Sequence, residues 1–357
     1  MNRVHNFSAG PAVLPVPVLE AAKQACNDYN GCGMSVMEMS HRSKEIVALF
    51  DETSSNVLEL MNLSSDDYSV LYLGGGASMQ FAMIPLNFLK NSADYINTGV
   101  WAKKAIAEGK LVGNVNVAGS SADKNFNYIP KEFNFDANAD YVHYATNNTI
   151  FGTRVKDIPK VGNVPLISDM SSDIFSRNMD FSKYDMIYAG AQKNIGPSGV
   201  TLVVIKKSWA ARAEKEGNMT MLKYSTHIEA DSMFNTPAVF PVFVINETLK
   251  WIKDEGGLDA IEKRNNYKAG LLYDAIDNSN GFYKATVADK DDRSIMNVTF
   301  NLESEEKEAE FVKKADALNM SGLKGHRSVG GVRASIYNAC PVESVEALVK
   351  FMNDFRS

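Results

Sequence analysis

Short apolar runs alternate with longer stretches of helical periodicity along most of the chain. The β-rich runs are Ser69–Leu73, Tyr95–Thr98, Tyr141–Thr146, Pro165–Ile167, Met186–Ala189 and Thr201–Lys206. Ser78–Leu89 follows the first run and Ala102–Leu111 the second, each long enough for a helix. This alternation predicts a mostly parallel α/β sheet. Residues 1–15 read as irregular, because Pro11 and Pro15 interrupt regular hydrogen bonding. A helix starting near Val239 ends at Gly256–Gly257, and a long helix, Leu258–Asp277, follows. The pattern then changes to strand Asn297–Leu302, helix Glu303–Leu318, strand Val332–Tyr337 and helix Val342–Phe355. The last of these puts Val345, Leu348, Val349, Met352 and Phe355 on one face. The expected architecture is α/β. Residues 16–255 form a large, mixed but mostly parallel sheet domain. Residues 1–15 and 256–357 form a smaller α+β domain beside its ligand edge.

Composition narrows the function classes. The chain has 357 residues, 45% of them hydrophobic and 22% charged, which suits a substantial core and argues against disorder. The 37 basic and 43 acidic side chains leave a net charge of −6. Without a basic block, nucleic acid is not the expected partner. Cys26, Cys32 and Cys340 are an odd, sparse set, neither a disulfide framework nor a metal-ligand spacing. No apolar run is long enough to span a bilayer, and MNRVHNFSAGPAVLP carries no continuous apolar signal region. A soluble, cytoplasmic protein with no membrane partner is expected.

The candidate chemistry begins at Lys193. It sits in AGAQKNIGPSG, just after the run Met186–Tyr188, among residues of little bulk that leave its amine open to a planar ligand. Asp169, in PLISDMSSD, ends another apolar run. Both fall at carboxyl ends of predicted strands, where parallel α/β sheets bind ligands. A lysine that can form a Schiff base and an aspartate that can pair with a pyridinium nitrogen suit pyridoxal phosphate. Taken singly, each residue would pass as a surface charge or a turn cap.

Gly74–Gly75–Gly76–Ala77–Ser78 follows the first strand and opens a helix. It could cradle a phosphate on free N–H groups or be a tight strand–helix turn. Trp101 could stack on a flat ring or belong to the core, and Thr149 could hold a ligand oxygen or cap a turn. His41–Arg42 in MSHRSKE and His326–Arg327 in GHRSVGG are separated His–Arg pairs, and Arg333 follows the second. Arginine forks match phosphate and carboxylate geometry, each charge-assisted bond contributing roughly 1.5–3 kcal/mol. Glycines 325, 330 and 331 suggest a shaped loop around Arg327 and Arg333.

From NFSAGPAVLP to RSVGGVRASIYNA, in order and over nearly the whole length, these segments resemble the phosphoserine aminotransferases, pyridoxal-phosphate enzymes of the aspartate-aminotransferase (type I) fold. The resemblance implies that Lys193 holds pyridoxal phosphate as a Schiff base and that Asp169 binds its ring nitrogen. Trp101 would stack on the ring, and Thr149 would contact its 3-oxygen. Gly76, Ala77 and Gln192 would hold the cofactor phosphate. Asn235 and Thr236, in MFNTPAVF, would reach that phosphate from a partner subunit, so a homodimer is implied. Arg333 would clamp the substrate α-carboxylate, while His41, Arg42, His326 and Arg327 receive the substrate phosphate. The implied reaction passes an amino group from glutamate to 3-phosphohydroxypyruvate, giving 2-oxoglutarate and O-phosphoserine in serine biosynthesis. It leaves open the use of a related phosphorylated hydroxy-amino acid of pyridoxine synthesis. Three positions depart from the family pattern: Ala77 where some members carry arginine, Asn148 where an acid is common, and Asn178 where proline is frequent.

Two rivals share the fold. An alanine–glyoxylate-type aminotransferase would not need two His–Arg pairs. A cysteine desulfurase would need a nucleophilic cysteine on a mobile loop, for which Cys340 beside Pro341 is poorly suited. A non-catalytic binder of phosphorylated ligands would have no use for Lys193.

Overall fold

The central strands are apolar on both faces, and that dictates a sheet covered on both sides. In Thr201–Lys206, Leu202 and Val204 pack into one core while Val203 and Ile205 pack into another. The computed structural model describes residues 3–327 and 329–357; Met1, Asn2 and Ser328, the last within GHRSVGG, lie outside the described residues.

In chain order the elements are β1 (His5–Asn6), α1 (Val16–Asn27), α2 (Lys44–Met61), β2 (Tyr68–Leu73), α3 (Gly76–Phe88), β3 (Ser92–Asn97), α4 (Val100–Val112) and β4 (Asn114–Ser120). Then come β5 (Val142–Ala145), β6 (Leu166–Asp169), β7 (Met186–Gly190), β8 (Thr201–Lys206), α5 (Lys207–Ala213), α6 (Tyr224–Glu229), α7 (Val239–Asp254) and α8 (Gly257–Asp277). The chain closes with β9 (Lys284–Ala285), β10 (Asn297–Asn301), α9 (Glu305–Ala317), β11 (Met320–Ser321), β12 (Val332–Ser335) and α10 (Val342–Arg356).

Among the described residues, seven strands form the main sheet in the order β2-β8-β7-β6-β5-β3-β4. Pairing is parallel from β4 through to β7, and only β8 runs against its neighbours. The carboxyl ends of β2, β3, β5, β6 and β7 therefore open on one edge. Asp169 ends β6 at that edge, and Gly76, Trp101, Thr149 and Lys193 belong to the turns or helix starts there.

A second, antiparallel sheet has the order β12-β10-β9. Its core joins Phe7 and Val13 to Leu272, Phe300, Phe311, Val332 and Leu348. The N-terminal stretch is thus less irregular than its prolines suggest. β1 pairs parallel with β11, His5 opposite Met320, and the Ser335 N–H donates to the Phe7 carbonyl. The start of α8, at Leu258 and Ile261, packs instead into the core of the main sheet.

Local chemistry sets the element ends. Ser43 caps α2 by accepting from the Ile46 N–H, and left-handed Asn62 stops that helix. Ser304 caps α9, so the helix begins two residues after the expected Glu303. β6 begins at Leu166 because Pro165 has no N–H to give the ladder. Of the elements not expected from the sequence, the edge strand β4 gives little signal, its NVNVAGS being largely exposed and polar. By contrast, α1 and α2 are amphipathic, α1 burying Val18, Ala22 and Ala25 and α2 burying Ile46, Leu49, Phe50 and Val57.

Candidate active site

Thr149 is the meeting point of the site. Its Oγ1 accepts from the Trp101 indole N–H at 3.2 Å and from Lys193 Nζ at 3.4 Å. Its carbonyl accepts from Arg333 Nη1 at 3.1 Å. Three predicted residues from three distant parts of the chain thus converge on a fourth.

Lys193 lies three residues past β7, with Nζ 5.5 Å from the centre of the Trp101 ring. Burial holds its amine below the usual lysine range, against the pull of Asp169, and the Arg333 charge adds to the depression. The N-terminal segment presses on its stem. Gly10 has φ +139°, and a Cβ there would stand 3.2 Å from Lys193 Cγ. The Ala12 N–H donates to the Gln192 carbonyl at 2.9 Å. The Gln192 side chain folds back over Gly190, leaving 2.8 Å between its Oε1 and the position of a Cβ at that glycine.

Asp169 is buried at the end of β6. Its Oδ1 accepts from the Ser171 N–H at 2.9 Å and the Ser171 hydroxyl at 2.6 Å, and that hydroxyl in turn accepts from the Gly190 N–H at 3.0 Å. Ser171 thereby ties the aspartate to the strand leading to Lys193. It was not singled out from the sequence, although Asp-x-Ser is an Asx-turn signature. Oδ2 takes no hydrogen bond from the described residues, so one carboxylate oxygen is left for a ligand.

Trp101 stands in the first turn of α4. Gly99 precedes that helix because a Cβ there would run into the Asn148 carboxamide. Asn148 Nδ2 donates to the Thr98 carbonyl, and its Oδ1 accepts from the Ile150 N–H at 3.2 Å. An acid at 148 would keep the acceptor and lose the donor. Asn178 likewise uses its own N–H, donated to Glu262 at 3.1 Å, which a proline could not supply. Gly75 and Gly76, both with positive φ, turn the chain from β2 into α3. The N–H groups of Gly76 and Ala77 open that helix and have no carbonyl partner within it.

The predicted cations divide into two sets. Burial holds the His326 imidazole below its usual range, and the Arg333, Arg327 and Lys104 charges push it further down. These four groups form one electropositive locale. Lys104, whose Nζ lies 4.6 Å from the Trp101 ring centre, was missed, although it sits one helical turn from that tryptophan. Arg333 is partly buried, and among the described residues its Nε has no hydrogen-bond partner. His41 and Arg42 stand apart, in the turn before α2. Among the described residues, neither side chain hydrogen-bonds to the Lys193 group. His41 is buried with Nε2 unpartnered, and Arg42 is exposed. Asn235 and Thr236 are also separate. Both are exposed and line a cavity of about 350 Å³ with Gly74, Met79 and Met221.

These residues fit pyridoxal phosphate. A depressed lysine amine, a free carboxylate oxygen, a flat indole, unpaired helix N–H groups and an unpartnered Arg333 Nε match an aldehyde, a ring nitrogen, a ring face and anions. Among the described residues, no group of three His, Cys, Asp or Glu could hold a metal ion.

The family model for class-V aminotransferases matches residues 4–348. The chain is 50% identical to the phosphoserine aminotransferase of Bacillus subtilis (strain 168), over 100% of this chain and 99% of that one. A solved phosphoserine aminotransferase from Bacillus circulans subsp. alkalophilus superposes with a TM-score of 0.97 at 50% identity, covering 99% of this chain and 98% of that one. A pyridoxal-phosphate-bound phosphoserine aminotransferase from Trichomonas vaginalis gives a TM-score of 0.93 at 36% identity, covering 98% and 100%.

Proposed function

Because this chain belongs to the class-V aminotransferases, among the phosphoserine aminotransferases, we propose residue roles for the reaction that family performs. The enzyme is a pyridoxal-phosphate-dependent transferase. It moves an amino group from L-glutamate to 3-phosphohydroxypyruvate, yielding 2-oxoglutarate and O-phospho-L-serine in serine biosynthesis. The observation that carries the residue assignment is the convergence of Lys193, Trp101 and Arg333 on Thr149.

When bound, the cofactor supplies an electron sink for negative charge at the amino acid's α-carbon. Lys193 holds the cofactor and then, as a free amine, takes the proton from that carbon and later returns it. Its burial favours the neutral, basic form this task needs. Asp169 keeps the ring nitrogen charged through Oδ2, with Ser171 fixing Oδ1. Trp101 covers one ring face and Thr149 meets the 3-oxygen. Gly76, Ala77 and Gln192 hold the cofactor phosphate, Ala77 through its N–H alone. Arg333 orients the α-carboxylate. His326 and Arg327, with Lys104 beside them, receive the distal anion, which is a phosphate or the glutamate γ-carboxylate in turn.

His41, Arg42, Asn235 and Thr236 complete the site from a second copy of the chain, giving a homodimer that shares its cofactor sites. One feature supports this reading: the exposed Asn235 and Thr236 share a cavity with Gly74 and with the exposed Met79 and Met221, so polar and apolar side chains face outward together beside the turn that opens α3. The division into residues 16–255 and a second unit of 1–15 with 256–357 belongs to the same reading. So does a cytoplasmic location; no helix of the described residues is long and apolar enough to cross a membrane.

The test is an absorbance scan with and without phosphoserine, alongside Lys193→Ala. The wild type should carry a visible cofactor band that shifts on adding phosphoserine, and the variant should lose both band and turnover. Normal transamination by Lys193→Ala would overturn the assignment.

A further inference from the structure

Three consecutive carbonyls behind the site are taken by three asparagine amides from different elements. Asn194, adjacent to Lys193, donates from Nδ2 to the Ile174 carbonyl at 2.5 Å. Asn338, in the turn after β12, donates from Nδ2 to the Phe175 carbonyl at 2.8 Å. Asn265, on α8, donates from Nδ2 to the Ser176 carbonyl at 3.0 Å and to Asn338 Oδ1 at 2.8 Å. The Asn338 N–H closes the ring by donating to Asn194 Oδ1 at 2.9 Å. All three asparagines are buried.

The backbone of Ile174–Ser176 is bent to suit this arrangement. Phe175 has φ +56°, a left-handed conformation unfavourable for a bulky side chain, yet its ring is buried. Such a conformation persists only where its surroundings over-determine it. Three amides fixing three successive carbonyls do so here. The knot also joins the parts that matter for catalysis. Ile174 closely follows Asp169, Asn194 neighbours Lys193, and Asn338 lies five residues beyond Arg333 on the segment leaving β12. Lys268 secures the far side of that segment, donating from Nζ to the carbonyls of Ile336, Tyr337 and Cys340 at 2.9, 2.7 and 3.1 Å.

We propose that Asn338 and Asn265 are positioning residues, which through Asn194 and the Ile174–Ser176 carbonyls set the distance between the Arg333 guanidinium and the Lys193 amine. The proposal rests on the roles given to Lys193 and Arg333 above. Neither asparagine touches a substrate. Each acts by holding the carboxylate clamp at the right reach from the proton-transferring amine, where a misplacement of about 1 Å costs about 100-fold in rate.

The experiment compares wild type, Asn338→Ala, Asn265→Ala and Asn265→Ser as cofactor-saturated enzymes below their melting temperatures. The visible band should survive in the variants, since Lys193, Asp169 and Trp101 are unchanged. kcat/KM for glutamate and for phosphoserine should fall together, at least about tenfold in each alanine variant, mainly through kcat, because proton transfer is what the misplacement slows. A second readout uses cofactor-free protein. The Asn338 backbone N–H should exchange hydrogen at least about tenfold faster in Asn265→Ala than in wild type, because Asn265 no longer holds the Asn338 side chain against Asn194. If Asn338→Ala does not fold, the two Asn265 variants carry the test. Melting temperatures that drop while kcat and Asn338 exchange stay within about twofold of wild type would overturn the proposal. A colourless, inactive wild type would instead sink the reading of Lys193, and the exchange measurement would still decide the knot.

Discussion

Lys193 and Thr149 meet with Nζ 3.4 Å from Oγ1, bridging the turns that follow β7 and β5. Because Trp101 donates to the same oxygen, one hydroxyl sets both the amine and the stacking ring. Thr149→Val keeps the shape and deletes the acceptor, leaving two donors unpaired. Cofactor affinity and kcat/KM should each fall about tenfold, the worth of roughly 1.4 kcal/mol. Spectral titration of cofactor-free protein and steady-state rates check this; unchanged values would remove Thr149 from the site.

The cations around His326 predict a specific loss. Arg327→Ala and Arg42→Ala should weaken use of phosphoserine at least about tenfold more than use of an unphosphorylated amino acid, because charge-assisted bonds to a phosphate are worth more than neutral ones. Comparing kcat/KM for the two substrates reads the difference. Equal losses would count against a phosphate pocket. For Arg42, a loss that appears only in dimeric protein would tie it to the second copy.

Gly99 is held open by a neighbour rather than by its own φ. Gly99→Ala pushes a methyl into the Asn148 carboxamide and so into the start of the helix carrying Trp101. A cost of about 1–3 kcal/mol is expected from overpacking. It should appear as a lowered denaturation midpoint together with weaker cofactor binding. A variant as stable as wild type would mean that Asn148 moves aside freely.

Lys268 makes a prediction about pH. It is fully buried, and burial pushes its amine down to about 7. In the unfolded chain the same amine titrates near 10.4. Between these values the unfolded state binds the extra proton, so folding grows more favourable as pH rises through that window. Relative to Lys268→Met, wild type should gain stability between pH 7 and pH 9.5, by less than the full shift would give, because the three carbonyls that accept from Nζ favour its ammonium form. Urea midpoints of the two proteins at both pH values test the sign; a gap that narrows with rising pH would refute it. At every pH the methionine leaves three buried carbonyls without a donor and should be the less stable protein.

Much of this was legible in the chain because its signals are local. The β8 run Thr201–Lys206 was placed to the residue, since valine and isoleucine on both faces suit only a buried strand. Lys193 and Asp169 could be read as ligand-facing because strand ends are local facts, and the sheet edge then follows from parallel order. Other features had no local signal. β4 is an edge strand whose residues look like a loop until β3 pairs with them. Lys104 is an ordinary surface lysine in sequence and joins the cationic locale only once α4 turns it toward Arg333 and His326. Ser171 could have been found from its spacing to Asp169, but not its second bond to Gly190.

Sequence by itself determined the central strands, most of the long helices and the choice of candidate residues, because side-chain identity and short-range periodicity are written in consecutive positions. Tertiary structure decided which of these residues meet. Thr149 gathers Lys193, Trp101 and Arg333, and three asparagines far apart in the chain close on Ile174–Ser176. Such contacts depend on how helices and strands pack over long separations, where burial energy is non-directional and only the assembled fold fixes which polar groups face one another.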